Sequence, residues 1–214
     1  MKCSVPIATA SRQLQDITAV TWPAATLLIY LNYAVREIVD IKPEANTTAA
    51  NITMVAGTRQ SLPAGWNLLI NAKRNMGTGT IPGRAITPIA REILDEVLPD
   101  WQTWPTADEV RHVITDDRDP LYFDVFPPQP ATPTQKIEAI GSLYPAKATD
   151  AANSDFPLPD QYEVAAVDYM IYRALNETTT IPGAQAKADK HLNKFYQNLG
   201  VKIQAAAKVY SEGQ

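Results

Sequence analysis

The residues best suited to chemistry are a histidine and three aspartates near the middle of the sequence. His112 lies four residues before Asp116, and Asp117 and Asp119 follow within the next three positions. Imidazole and carboxylate groups can hold a divalent metal or move protons, so a small metal-dependent hydrolase is one hypothesis. The order Asp-Asp-Arg-Asp-Pro between two apolar runs is better explained as a turn, because aspartate accepts local backbone hydrogen bonds and proline fixes the exit. The pattern favours the turn over the metal site.

The other candidates for chemistry are also better explained without it. His191 lies on a helix face rich in lysine and aspartate, which predicts a solvated side chain. The glycine-containing loop at residues 76–83 lacks the Lys-Ser/Thr that completes a phosphate-binding loop. No nucleophile elbow, zinc-protease helix or dinucleotide fingerprint is present. The sequence therefore predicts no enzyme, and no catalytic, metal or cofactor site.

Composition restricts the class of protein further. The chain has 214 residues, 45% hydrophobic and 20% charged, with a net charge of −4. That balance argues against a protein that reads nucleic-acid sequence with a basic face, although a wall that repels phosphate would suit DNA sliding past it. Cys3 is the single cysteine, so neither a disulfide framework nor a cysteine zinc site is expected. No apolar run has the length of a signal peptide or membrane span, which predicts synthesis in the cytoplasm and no membrane association.

The most strongly patterned segment is LPDQYEVAAVDYMIYRAL, at residues 158–175. Its apolar residues recur at helical spacing and are too many for one narrow stripe, so the helix is expected to have neighbours on several sides. Asp160 is predicted to cap its first turn, with Glu163 completing a capping box. Apolar faces at residues 22–40 and from residue 185 onward could cover this helix. Thr21 is the predicted N-cap of the 22–40 helix.

The middle of the chain changes to strand-like patterns. From Ile52 to Asn75 the sequence predicts two strands joined through a turn around residues 61–65. A short helix near 88–98, with Ile89, Ile93 and Val97 on one face, precedes a predicted hairpin at 110–126 and a strand at 136–143.

These elements together predict an α+β fold. The expected fold is a helical bundle built from the N- and C-terminal helices, with an inserted antiparallel β module. The predicted domains are 1–44 plus 158–214 for the bundle with its C-terminal arm, and 45–157 for the β-rich module including the short helix.

The order of the sequence landmarks resembles the head-to-tail adaptor, or connector, proteins of short-tailed bacteriophages, the group that includes tail tubular protein A. The resemblance is carried by a series of segments along nearly the whole chain: TWPAATLLIYLNYAVREIV, GTRQSLPAGWNLLIN, GRAITPIAREILDEVLPDW, DPLYFDVFPPQP, DQYEVAAVDYMIYRAL and ADKHLNKFYQNLG. Each segment is weak by itself, and their order and spacing are what make the resemblance specific.

The resemblance implies a structural virion protein of the neck and tail. Such adaptors form a ring, typically dodecameric, beneath the portal protein; they extend the channel for double-stranded DNA and dock the tail tube or nozzle. Another neck component, such as a stopper or tail-completion protein, is the alternative.

The resemblance also implies where contacts lie. Residues 200–214 would form an arm against the portal, with these expected contacts: Lys202, Ile203, Lys208, Val209 and Tyr210. The loops at 58–65 and 76–83, with the basic strand end beside the second loop, would face a neighbouring subunit or tail component. The expected contacts there are Arg59, Gln60, Lys73, Arg74 and Thr78.

Overall fold

The computed structural model describes residues 1–79, 81–132, 135–178 and 182–200. These residues form five α-helices and seven β-strands. They divide into two compact units, Met1–Ala45 with the described part of Pro145–Gln214, and Asn46–Tyr144. None of the helices in the described ranges has the length and apolarity needed to cross a membrane.

The first unit is helical. Its elements are α1 (Ser4–Gln13), α2 (Ala24–Ile41), α4 (Glu163–Asn176) and α5 (Ala184–Asn198). Helix α4 contacts α1, α2 and α5, and the four helices share one continuous apolar core. The alanines of α4 allow this close packing, since small side chains let neighbouring helices approach. The core of this unit is therefore a helix–helix core.

Both predicted helix caps are wrong. Helix α4 is preceded by a 3-10 turn at Asp160–Tyr162 and has no side-chain cap, and the Asp160 carboxylate lies 3.2 Å from the Met1 ammonium. Helix α2 begins only after Pro23, and the Thr21 N–H donates to the carboxylate of Asp16. At Asp160, the Met1 ammonium takes the carboxylate that a local cap would use. Thr21 still lies in the loop before the helix, since the residue that precedes α2 is Pro23.

The second unit contains a three-stranded antiparallel sheet. Its order is β1 (Thr47–Thr53), β7 (Lys136–Leu143) and β3 (Trp66–Asn75). Gly141 of β7 lies under the Trp66 indole, and a Cβ at this position would meet the ring at 1.7 Å. Glycine is therefore required for the indole to lie flat on the central strand.

A four-stranded sheet completes this unit. Its order is β2 (Gly57–Ser61), β6 (Tyr122–Gln129), β5 (His112–Thr115) and β4 (Thr87–Pro88). Strands β5 and β6 pair antiparallel, which confirms the predicted hairpin. Strand β4 runs parallel to β5, so the sheet is mixed.

The fold-class prediction is wrong. It expected a bundle of terminal helices flanking one antiparallel β module, whereas the strands form two separate sheets and one of them is mixed. The predicted pairing of the strands between Ile52 and Asn75 fails for the same reason, because β2 joins β6 while β3 joins β7. Alternating polarity assigns a strand to a face but does not choose its neighbour.

Helix α3 (Arg91–Val97) shows how a short helix can be assigned to the wrong face. Ile93 and Val97 are on one face as predicted, but they are 51% and 68% exposed. The buried residue is Leu94, which packs with Trp101. In a helix of two turns, one well-placed leucine and the following tryptophan suffice to decide which side is buried.

Candidate interaction surfaces

His112 does not face the aspartates with which it was grouped. Its Nδ1 lies 2.8 Å from the Thr87 hydroxyl, and its ring stacks on Phe126 with centroids 6.2 Å apart. Thr87 is in the neighbouring strand β4, so the imidazole joins β5 to β4. Within the described residues no group of three or more histidine, cysteine, aspartate or glutamate side chains could hold a metal ion.

The aspartates between β5 and β6 form a turn. The Asp116 carboxylate accepts the Arg118 N–H at 2.9 Å, and the Asp119 N–H donates to the Asp116 carbonyl at 3.0 Å. The Asp119 carboxylate pairs with Arg59 of strand β2. Local backbone bonds thus occupy the first aspartate, as expected for a turn of this composition.

Arg59 links this turn to an ionic cluster on the four-stranded sheet. Its guanidinium lies 4.4 Å from the centroid of the Tyr122 ring. Arg91, at the start of α3, reaches both Asp95 and Asp124 at 3.6 Å. Burial raises the pKa of Asp124, although the Arg91 charge opposes this. The carboxylates are paired with cations, and this arrangement supports a stabilising network rather than acid–base chemistry.

A shallow cleft of about 570 Å³ lies beside this network, between residues 88–92 and residues 115–118. It is an open surface feature lined by the start of α3 and the β5–β6 turn.

The two predicted contact residues on β3 share one ion-pair partner. Lys73 and Arg74 both contact the Glu138 carboxylate of β7, at 3.3 and 3.1 Å. Thr78 is exposed in the following loop. The basic pair is therefore partly neutralised on its own sheet.

Gln60 is 2% exposed, unlike the other residues of its predicted contact group. Its amide oxygen accepts the Val55 N–H at 2.7 Å, and its nitrogen donates to the Val55 and Gly57 carbonyls. These bonds hold the loop that precedes β2, the strand that carries Arg59. The residues predicted for the portal arm, Lys202, Ile203, Lys208, Val209 and Tyr210, lie outside the described residues.

His191 is not solvated as predicted. Its Nδ1 lies 2.8 Å from Oδ1 of Asp168, a carboxylate of α4 that is only 6% exposed. The Asn198 amide donates to the other oxygen of Asp168 at 2.9 Å. Asp168 thus fastens the middle and the C-terminal end of α5 to α4. An aspartate inside the apolar run VAAVDYM is the sequence signal that could have revealed it.

The loop between α1 and α2 is a rigid element that the sequence patterns missed. The Asp16 carboxylate accepts three backbone N–H groups, from Val20, Thr21 and Trp22, at 2.7–3.0 Å. Gln15 and Ala19 have positive φ angles of 60° and 54°. The loop displays Ile17 at 78% exposure and Val20 at 79%. These exposed aliphatic side chains are held on a fixed backbone, an arrangement suited to contact with another protein.

No curated protein matches the sequence significantly. A family model described as SU10 adaptor protein matches residues 4–213. Because this match covers almost the whole sequence, the chain belongs to the SU10 adaptor protein family, a family of phage head-to-tail adaptors.

Proposed function

We propose that this chain is the structural subunit of a ring beneath the phage portal, where it extends the DNA channel and docks the tail tube or nozzle. The family match over residues 4–213 carries this proposal. The ring is proposed to be a dodecamer in the virion neck, and the subunit has no catalytic role.

The site geometry supports a structural role. His112 is bound to Thr87, and the nearby aspartates are held in a turn or paired with Arg59. A hydrolase would require these groups to converge on a common point. Their engagement in separate strand and turn contacts argues for stabilisation of the fold instead.

The charge of the chain suits a DNA channel. A net charge of −4 disfavours tight, salt-dependent attachment to phosphate, which cationic side chains would otherwise provide. The basic residues Lys73, Arg74 and Arg59 each face a carboxylate of the same unit. DNA would therefore pass without sequence-specific binding.

A closed ring requires two different patches on each subunit. We assign one contact region to Arg59 on β2 and Thr78 in the loop after β3, with Lys73 and Arg74 beside Thr78. The segment 200–214 supplies the portal arm. Its proposed contacts are Lys202, Ile203, Lys208, Val209 and Tyr210. Burial of Ile203, Val209 and Tyr210 against the portal would stabilise this contact.

The direct test is electron microscopy of the protein mixed with the portal protein of the same phage. The expected result is a second ring stacked on the portal, with one copy of this chain for each portal subunit. Folded protein that never associates with folded portal would contradict the proposal. A ring at another level of the neck would identify a stopper or tail-completion protein instead.

The arm is tested by a truncation after Gly200. Loss of stacking with the fold retained is expected, because the truncated protein keeps every residue of the described helical core, through Leu199. The matched point variant Tyr210→Ala should weaken the association less than the truncation. Full stacking by the truncated protein would show that the portal contact lies elsewhere.

A further inference from the structure

Strand β1 differs from every other sheet edge in the described part of the chain. It is an edge strand of seven residues, TTAANIT, with no charged residue and no proline. It pairs with β7 without a register shift. Natural edge strands usually carry a lysine, a proline or a bulge that prevents pairing with another chain.

The alternation of hydrogen bonds identifies the backbone groups on its free side. The Leu143 N–H donates to the Asn46 carbonyl at 3.2 Å, and the Met54 N–H donates to the Gln135 carbonyl at 3.1 Å. In an antiparallel pair, bonded residues alternate along the strand, so even-numbered residues of β1 face β7. The residues that point outward are Thr47, Ala49, Asn51 and Thr53. All four are exposed, and no backbone hydrogen bond to them is formed within the described ranges.

The opposite edge of the same sheet is protected. Strand β3 has three register shifts against β7 and carries Lys73 and Arg74. Part of its outer side is also covered, since the Asn75 N–H donates to Arg84 and the Ile86 N–H donates to Lys73. A strand from another chain cannot pair along this edge without displacing those bonds.

Both edges of the second sheet are protected as well. Strand β2 has a register shift between Gly57 and Arg59, and the buried Gln60 amide occupies the backbone beside it. Strand β4 consists of two residues and ends in Pro88, which has no N–H. Among the described strands, β1 alone therefore offers a regular edge of useful length.

We propose that the outward edge of β1 receives an extended strand of the tail component that this adaptor docks. This inference rests on the proposed function. Main-chain hydrogen bonds would supply the affinity, as in other cases where a peptide adds a strand to a sheet edge. Because β1 is seven residues long, its partner is an extended segment of about seven residues without proline at the pairing positions.

A second copy of this chain is a less suitable occupant. Its other edges are protected, so sheet-to-sheet pairing between copies would have to join β1 to β1. Such a contact is two-fold and uses both edges at once, whereas neighbours in a ring meet through two different patches. In a ring, every copy would keep β1 available for another protein.

The experiment measures binding of the full chain to the recombinant tail-tube or nozzle protein of the same phage by calorimetry. Ala49→Pro removes one outward N–H without removing a bond to β7, and Ala49→Thr is the matched control that keeps this N–H. Proline should weaken binding at least about tenfold, and threonine should leave it unchanged. Asn51→Pro repeats the test at the next outward position. Its control is Asn51→Ala, which keeps the N–H but also loses the bond from the Asn51 amide to the Gly79 carbonyl. Ala49→Lys tests the edge with a charge. Circular dichroism and portal binding establish that each variant is folded.

The possible results separate the role of β1 from the adaptor function. Unchanged tail binding by Ala49→Pro and Asn51→Pro, with portal binding retained, would overturn the role of β1 and leave the adaptor function intact. A β1-dependent dimer of the free protein that blocks tail binding would assign the edge to a second copy and also overturn the inference. Failure of the wild-type chain to bind either portal or tail component would instead count against the proposed function.

Discussion

The two units of this protein are stabilised in different ways. The helical unit has one core of aliphatic and aromatic side chains, running through all four of its helices. The β unit has two smaller clusters and several buried amides, Gln60, Asn75, Gln129 and Gln135. A helix satisfies its own backbone, whereas the loops between short strands leave N–H and C=O groups that need partners. The side chains of Gln60, Asn75 and Gln129 supply such partners, and Gln135 donates to the Asn75 amide oxygen.

The largest effect should come from the aliphatic core of the helical unit. Leu31 of α2 is 1% exposed, so Leu31→Ala would leave a cavity among tightly packed helices. We expect a loss of about 3 kcal/mol in the free energy of unfolding. Denaturant unfolding followed by circular dichroism measures it. Ile29→Ala, on the half-exposed side of the same helix, is the control and should cost less than about 1 kcal/mol. Equal losses would mean that the helices do not pack as described.

The second prediction concerns the amides of the β unit. The Asn75 side chain donates to the Arg84 and Val110 carbonyls and accepts from the Val110 N–H and the Gln135 amide. Asn75→Ala would take this partner from the Val110 N–H and carbonyl and from the Gln135 amide, and we expect a loss of about 2 kcal/mol.

Tryptophan fluorescence is the suitable probe for this variant, because Trp66 and Trp101 are both buried in the β unit. Asn71→Ala, at an exposed position of the same strand, is the control and should change little. A loss well below about 2 kcal/mol for Asn75→Ala would contradict the view that buried amides stabilise the β unit.

The third prediction tests a polar contact inside the helical unit. Asp168→Ala removes the acceptor for His191 and Asn198. Because both partners are near solvent, water can replace part of the interaction, and we expect a loss of about 1 kcal/mol. In this variant, hydrogen exchange should be accelerated relative to wild type, and more for the backbone amides of α5 than for those of α2. Lys190→Ala, on the exposed side of α5, should have no such effect.

The smallest effect is expected at Asp16, and it should depend on pH. The N–H groups of Trp22, Val20 and Thr21 lower the pKa of this carboxyl from its ordinary value of 3.8. A lowered folded-state pKa stabilises the fold fully above the unfolded-state pKa, and this contribution is lost as the pH falls through the folded-state pKa.

Asp16→Ala should therefore lower the melting temperature at pH 7, and the difference from wild type should shrink below about pH 4. The control is Asp189→Ala, a surface carboxylate that accepts a hydrogen bond from Gln185. A difference that stayed constant down to pH 3 would show that the charge of Asp16 does not hold the loop.

Periodicity predicted most of the elements correctly where it was strong. The hairpin at 110–126 and the strand at 136–143 correspond to β5, β6 and β7, with β7 matching at both ends. It failed where the local signal was weak: residues 47–51, TTAAN, are small and polar, so β1 begins five residues before the predicted start at Ile52. Pairing with β7 overrides the low strand propensity of this segment.

The candidate site was less accessible from sequence. The grouping of His112 with the following aspartates relied on proximity along the chain, but a strand rises about 3.3 Å per residue, so four positions separate His112 and Asp116 by roughly 13 Å. His112 accordingly meets Thr87 on the neighbouring strand, while Asp119 meets Arg59 across the sheet. Gln60 was expected to be a surface contact and is buried, because a backbone turn before β2 needs its amide.

By itself, the sequence determined which segments are helical or extended, and its order of landmarks agrees with membership in a phage adaptor family. Helical spacing and strand alternation involve residues only a few positions apart, so they can be recognised from the sequence. The tertiary structure alone decided which strands are neighbours and which sheet edge stays unprotected. Strand pairing joins residues far apart in the chain, and its energy depends on backbone groups that every residue shares.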